Sequence, residues 1–184
     1  MIEVLVAVFV LAVGMLGTAS LQLTSKRSSM EAKSRTMATM VAQGFVERMR
    51  MNPRQLATYT NAGAGRVLTG ATFAAVDCSV ACTDIEMASL DLFELEQALI
   101  GAAEEIGGTF VGGISEPRAC INGPDGGSGT YTVVIAWRGL TRLSDPAGTH
   151  TCGQGSGVYD TADGAQADVY RRVLLVDTFI SVPP

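Results

Sequence analysis

Between Val4 and Leu23 (VLVAVFVLAVGMLGTASLQL) no side chain ionises. Coiled as a helix, those 20 residues rise about 30 Å, the thickness of a bilayer's hydrocarbon core. A run of that length has to be covered by lipid or by other apolar helices. Glu3 stands at its head. A carboxylate that must enter lipid costs on the order of 3 kcal/mol, less near the membrane surface, so one kept there marks a function. The first basic residue is Lys26, far along the chain. The charge that balances Glu3 is therefore expected from another molecule.

The apolar run does not end in a turn. No proline occurs from Lys26 to Met51, and the first helix stop is Asn52-Pro53. Met30, Met37, Val41, Phe45 and Met49 recur at helical spacing, while Lys33, Arg35, Gln43, Glu47 and Arg50 occupy other faces. The pattern predicts one helix of about 50 residues, roughly 75 Å long. Residues 1–25 form its membrane-spanning half, and residues 26–52 an amphipathic half on which a head packs. Residues 53–184 form that head. Gly14 and Gly17 each cost up to about 1 kcal/mol relative to Ala in a helix interior. They suit either close helix–helix approach in a membrane or a stretch that can bend.

Charge is strongly polarised along the chain. The overall net of -5 hides a net of +5 over residues 1–66, -9 over residues 67–117 and -1 over the remainder. No segment combines a large basic excess with interleaved aromatics, so nucleic acid is not expected as a partner. Self-association of opposite patches stays open. The four cysteines, Cys78, Cys82, Cys120 and Cys152, lie beyond the apolar run and read as two disulfides in an exported domain. Cys78–Cys82 can close across a turn and Cys120–Cys152 can tie a long loop to a sheet, though a Cys82–Cys120 link would also be local. A zinc site using His150 fits no standard spacing. The basic pair Lys26–Arg27 after the span points the head toward the cytoplasm by the positive-inside tendency, and the cysteines point it outward. A short basic leader ahead of this numbering would resolve the conflict in favour of export.

Within the head, residues 54–76 lack a period and predict loop with at most a short strand. Thr83-Asp84-Ile85-Glu86 fits a capping box. Ile85, Ala88, Leu92, Leu95 and Leu99 then follow at helical spacing, with Gly107-Gly108 as the stop. The outward face of that acidic helix should carry Asp91, Glu94 and Glu96, with Glu104 and Glu105 beyond. Asp91, Glu94 and Glu104 are the candidate docking residues for a basic partner, against the plainer reading of a solvated face. The period then switches to two. Arg118–Asn122 is a short strand. Thr130–Arg138 puts Tyr131, Val133, Ile135 and Trp137 on one face, and Val169–Ser181 does the same for Tyr170, Leu174, Val176 and Ile180. Gly139–Asp168 has no apolar period, and loops of that length are functional or mobile. Its aspartates, Asp160, Asp163 and Asp168, match no calcium loop.

No G-x-S-x-G, P-loop, G-x-G-x-x-G or H-E-x-x-H occurs, and the single His150 has no nucleophile at a recognisable distance. The sequence predicts neither an enzyme nor a bound metal or cofactor.

Met1-Ile2-Glu3-Val4-Leu5-Val6-Ala7 resembles the start of the type IV pilins and their relatives, which begin with Phe-Thr-Leu/Met-Ile-Glu after a cleaved basic leader. On that match two mature residues and the leader precede Met1. The resemblance implies that Glu3 pairs with the N-methylated terminal amine of a neighbouring subunit. Ala12-Val13-Gly14-Met15-Leu16-Gly17 with Leu21-Gln22 is similar to the minor pilins of the PilV, or pilus modification, type. So are Cys78–Cys82 before Asp91-Leu92-Phe93 and Gln97-Ala98-Leu99, then Val134–Gly139 and Arg171-Arg172-Val173.

The resemblance implies an α+β fold, type IV pilin-like, with a long N-terminal helix packed on a small antiparallel β-sheet head and the acidic helix inserted. It implies a low-copy subunit of the pilus-tip complex that primes assembly and helps display an adhesin. The expected setting is a single-pass inner-membrane anchor with a periplasmic head, later extracted to the pilus tip. Implied partners are other minor pilins, the major pilin, a tip adhesin, the inner-membrane assembly machinery and the prepilin peptidase. A minor pseudopilin of type II secretion is the alternative, since it shares the N-terminal pattern.

Overall fold

Helix α1 runs unbroken from Ile2 to Met51, as far as the sequence allows before Pro53. The computed structural model describes residues 1–146 and 150–183. Within α1 the chain divides into two units, Met1–Arg35 and the residues from Thr36 onward. The first unit is helix alone. Its apolar side chains are exposed from Ile2 to Leu23, and its polar atoms turn inward. The Thr18 hydroxyl donates to the Met15 carbonyl and the Thr24 hydroxyl to the Ser20 carbonyl, so these two hydroxyl protons are bonded within the helix itself. Gly14 and Gly17 do not interrupt the helix, and nothing stands within 4 Å of where a Cβ would be on either.

In the second unit α1 is covered along one stripe. Ala38, Ala42, Phe45, Val46 and Met49 are buried at spacings of three and four. They join a core with Leu56, Tyr59, Leu92, Leu95, Ile121, Val133 and Ile135. Pro53 starts a single 3₁₀ turn, and α2 (Leu56–Thr60) follows, ending at Asn61 in the left-handed region with φ 58°. Strand β1 (Arg66–Leu68) comes next. Residues 54–76 thus hold the short strand expected and also a helix that was not, because five residues are too few to show a period.

Helix α3 spans Asp84–Ile100 and opens with the full capping box, Thr83 accepting from the Glu86 amide and Glu86 accepting from the Thr83 amide. It stops at Gly101, φ 70°, rather than at Gly107-Gly108. A Cβ on Gly101 would collide with the Gly112–Gly113 backbone, so only glycine lets the chain turn there. Gly107 and Gly108, both at positive φ, form instead the turn between two-residue strands β2 (Glu105–Ile106) and β3 (Thr109–Phe110). Ile85 is exposed, while Ala88, Leu92, Leu95 and Leu99 are buried.

The main sheet adds β4 (Arg118–Asn122), β5 (Gly129–Arg138) and β6 (Arg171–Ile180) in the antiparallel order β1-β4-β5-β6. Register pairs Ile121 with Val133 and Val133 with Val176. Tyr131, Val133, Ile135 and Trp137 line the core face, as the alternation predicts. The other face is covered too. Val134 and Ala136 are fully buried beneath Cys120, Cys152 and Tyr159, the last two supplied by the segment after β5. Tyr170 is not on the inner face expected for it, because β6 begins one residue later and its ring lies under the Arg138 guanidinium, 4.5 Å away.

Glu96, expected on the outward face of α3, is fully buried. Its Oε1 accepts from the amides of Thr69, Gly70 and Thr72, and its Oε2 from Thr72 and Phe73, at 2.8–3.3 Å. One carboxylate therefore folds the loop after β1 around itself, through charge-assisted bonds stronger than neutral ones. Replacing Glu96 by Gln puts an NH₂ group against those amides. Denaturant unfolding should show a loss of roughly 2–4 kcal/mol, and hydrogen exchange should accelerate at residues 69–73.

Candidate functional site

Glu3 lies exposed in the first turn of α1. Its charge is favoured there by the helix dipole, and among the described residues no side chain pairs with it. The surrounding side chains are apolar and exposed, so the helix presents a carboxylate at one end of a bare hydrophobic rod.

In the head, the polar groups concentrate at the seam between α1 and α3. Arg48 bonds Asp91 at 3.0 Å and also pairs with Glu94. Asp91 accepts a second, short bond from the Tyr59 hydroxyl, 2.5 Å, and the Tyr59 ring meets Phe45 edge-on at 5.6 Å. Asp91 was expected to face outward for a partner. It is instead 5% exposed, because the α1 stripe brings Arg48 over it and α2 brings Tyr59. Glu94 stays half-exposed but is held by the same guanidinium. Of the docking candidates, Glu104 alone stands on the surface without a salt bridge among the described residues.

The electrostatics follow from this packing. Burial works against the Arg48 charge, yet the bonds to Asp91 and Glu94 outweigh it and hold the guanidinium above its ordinary value. Burial, reinforced by the Asp91 carboxylate, raises the Tyr59 phenol far above the usual range. A cleft of about 420 Å³ opens beside the network, with Met37, Val41 and Ala98 on its apolar side and Glu94 and Glu104 on its polar side.

The cysteines pair as Cys78–Cys82, with Cα atoms 5.2 Å apart, and Cys120–Cys152, 5.8 Å. The second pair fastens the segment after β5 to the back of the sheet. Arg171, fully buried, fastens it again by donating to Asp145 (2.7 Å) and to the carbonyls of His150 and Cys152. Arg138 donates to the carbonyls of Val158 and Asp160. His150 contacts the Asn122 side chain and accepts from the Cys152 amide. Asp160, Asp163 and Asp168 accept from the amides of Asp168, Ala165 and Gly155. No cluster of metal-ligating side chains forms among the described residues. Part of the expected loop, residues 147–149, lies outside them.

These groups bind elements of the head to one another, and none is set out as a nucleophile with its base. Arg48, Tyr59, Arg171 and Tyr159 carry no motif. The signal for Arg171 is its parity. It shares the back face of β6 with Val173, so a basic residue there must find buried acceptors.

Breaking the seam should cost unequal amounts at its two acids. Asp91→Leu strands a buried hydroxyl and should lower unfolding free energy by roughly 2–4 kcal/mol, whereas Glu94→Ala, at an exposed pair, should cost about 0–1 kcal/mol. The tyrosines set an alkaline limit. Burial pushes Tyr159 up to about 12 from an ordinary 10.0. The neutral phenol's contribution is therefore complete below pH 10 and disappears as pH climbs toward 12. A pH titration should show tyrosinate absorbance from Tyr59 and Tyr159 emerging together with loss of helix signal, not before it.

Residues 20–93 match the model of a type IV pilin family, described as Tt1218-like, Type IV pilin Tt1218. No curated protein and no solved structure matches the chain. The matched stretch runs from the end of the apolar segment, along the buried stripe of α1, and into α3 as far as Phe93. The match supports a type IV pilin, a family of structural subunits, and a long apolar N-terminal helix packed on a small antiparallel sheet is consistent with that fold.

Proposed function

We propose that this chain is a minor pilin of the PilV kind, a low-copy subunit of the type IV pilus tip complex that primes assembly and helps display an adhesin. The observation that carries the proposal is the helix of 50 residues whose first half is bare, apolar and headed by a single carboxylate. A bare rod of that length needs two covers in turn. Lipid covers it while the subunit waits as a single-pass protein of the inner membrane, and other subunits' helices cover it in a filament. Glu3 then finds its partner charge in the N-methylated terminal amine of the adjoining subunit. The disulfides suit a periplasmic head, since such bonds persist in oxidising compartments. The partners are the other minor pilins, the major pilin, the adhesin, the assembly machinery and the prepilin peptidase.

Glu3→Ala in the precursor tests this. The variant should accumulate in the membrane as the parent does, because removing a charge makes insertion easier, yet be missing from sheared filaments, with pilus number reduced. Normal pilus numbers in a strain relying on the variant would overturn the role of Glu3.

A further inference from the structure

At the C-terminal end of α1 the head carries an apolar patch that folding leaves uncovered. The Cys78–Cys82 bond closes a ring over Ser79, Val80 and Ala81, and Val80 at its tip is 97% exposed. Met51, the last residue of α1, is 85% exposed, and Met87 is 41% exposed. Met51, Cys82 and Met87 line one cleft of about 250 Å³ together with Asn52, Asp84, Arg48 and Asp91, and Val80 adjoins it through the ring that Cys82 closes. Scattered single apolar residues are ordinary on a surface, but a grouped set around a hollow is a binding feature.

An acidic border adjoins the ring and cleft: Asp84 lines the cleft, Asp77 directly precedes Cys78 and Glu86 bonds Thr83 beside Cys82, and all three are exposed. The Ser79 amide holds Asp77 below the usual carboxylate range, and the Thr83 amide does the same for Glu86. Segment 67–117, from which this border is drawn, contains no lysine or arginine. Arg54 lines the adjoining hollow with Asp84, and Arg48 is committed to Asp91 and Glu94.

From this juxtaposition we infer that the ring and cleft around Val80, Met51 and Met87 are a docking site for a cationic amphipathic segment of another protein. An apolar side chain of that segment enters the cleft while its lysines or arginines meet Asp77, Asp84 and Glu86. The apolar contact supplies most of the hold, and the border selects the sign of the partner and hastens encounter. The disulfide fixes the ring so that Val80 is presented without first being ordered, which reduces the entropy lost on binding. Such a surface works whether or not the chain enters a pilus.

The test uses the full chain in detergent micelles, with a benzophenone amino acid in place of Ser79 and three synthetic peptides: leucine with lysine, leucine with glutamate, and serine with lysine. The leucine–lysine peptide should cross-link at position 79, and the other two should bind about tenfold more weakly. Val80→Ser with Met87→Ser, and separately Asp77→Asn with Asp84→Asn, should each weaken it by about tenfold too. Asn keeps an acceptor for the Ser79 amide, so the ring is preserved. Glu105→Gln, a remote acid of the β2 hairpin, should leave binding unchanged. Absence of the cross-link, equal labelling by all three peptides, or equal losses from patch and hairpin variants would overturn the inference.

Discussion

The head rests on the contact between the stripe Ala38–Ala42–Phe45–Val46–Met49 and the elements that cover it. Phe45, Val46 and Met49 are almost wholly buried, and each is worth about 1.5–3 kcal/mol in area removed from water. The alanines act differently. Ala38 and Ala42, at 0% exposure, are small enough for neighbouring elements to approach the helix backbone closely. A stripe that mixes small and large residues at spacings of three and four defines both where a partner element fits and how near it comes. α2, α3 and the core face of the main sheet are arranged to cover that stripe.

Buried charge then specifies what apolar packing leaves loose. Arg48 with Asp91 and Tyr59, Glu96 with its loop amides, and Arg171 with Asp145 each join segments distant in sequence. A buried pair gains little over an apolar substitute, but half of one is very costly. Such a group therefore penalises alternative packings. Slide α3 by one turn along α1, and Asp91 loses both of its donors at once. The sequence places nine acids and no base in residues 67–117, and two of those acids, Asp91 and Glu96, are internal fasteners rather than surface charge.

Long elements were legible in the sequence because their periods repeat. The helix to Met51 shows one stripe and one stop, and β5 shows its alternation over ten residues. The capping box named the start of α3 because two hydrogen bonds require those two residue types. The α3 stop was misplaced since Gly107-Gly108 is the stronger dipeptide signal, while Gly101 is set by tertiary contact with Gly112–Gly113. The inward position of Asp91 and Glu96 escapes the helical pattern for a related reason. A helical wheel shows which residues share a face, but it does not show that Arg48 or an amide-lined loop will cover that face. Tyr170 follows the same rule, its ring claimed by Arg138 rather than by the core.

The back of the sheet shows how a layer can form without regular structure. Val134 and Ala136 alternate with the core-facing residues of β5 and would be open to water if nothing lay over them. The segment after β5 has too few apolar residues to do this by hydrophobic contact alone. It supplies Cys152 and Tyr159 and is otherwise held by directed bonds: the Cys120–Cys152 bridge, the Arg171 fork and the Arg138 carbonyl contacts. A bridge closing a ring of that length removes roughly 3–4 kcal/mol of unfolded-chain entropy. It does so where burial is too small to order a polar, glycine-rich segment. This explains why no period marks those residues. Their conformation is dictated at a few anchor points, and the residues between anchors have only to span the distance.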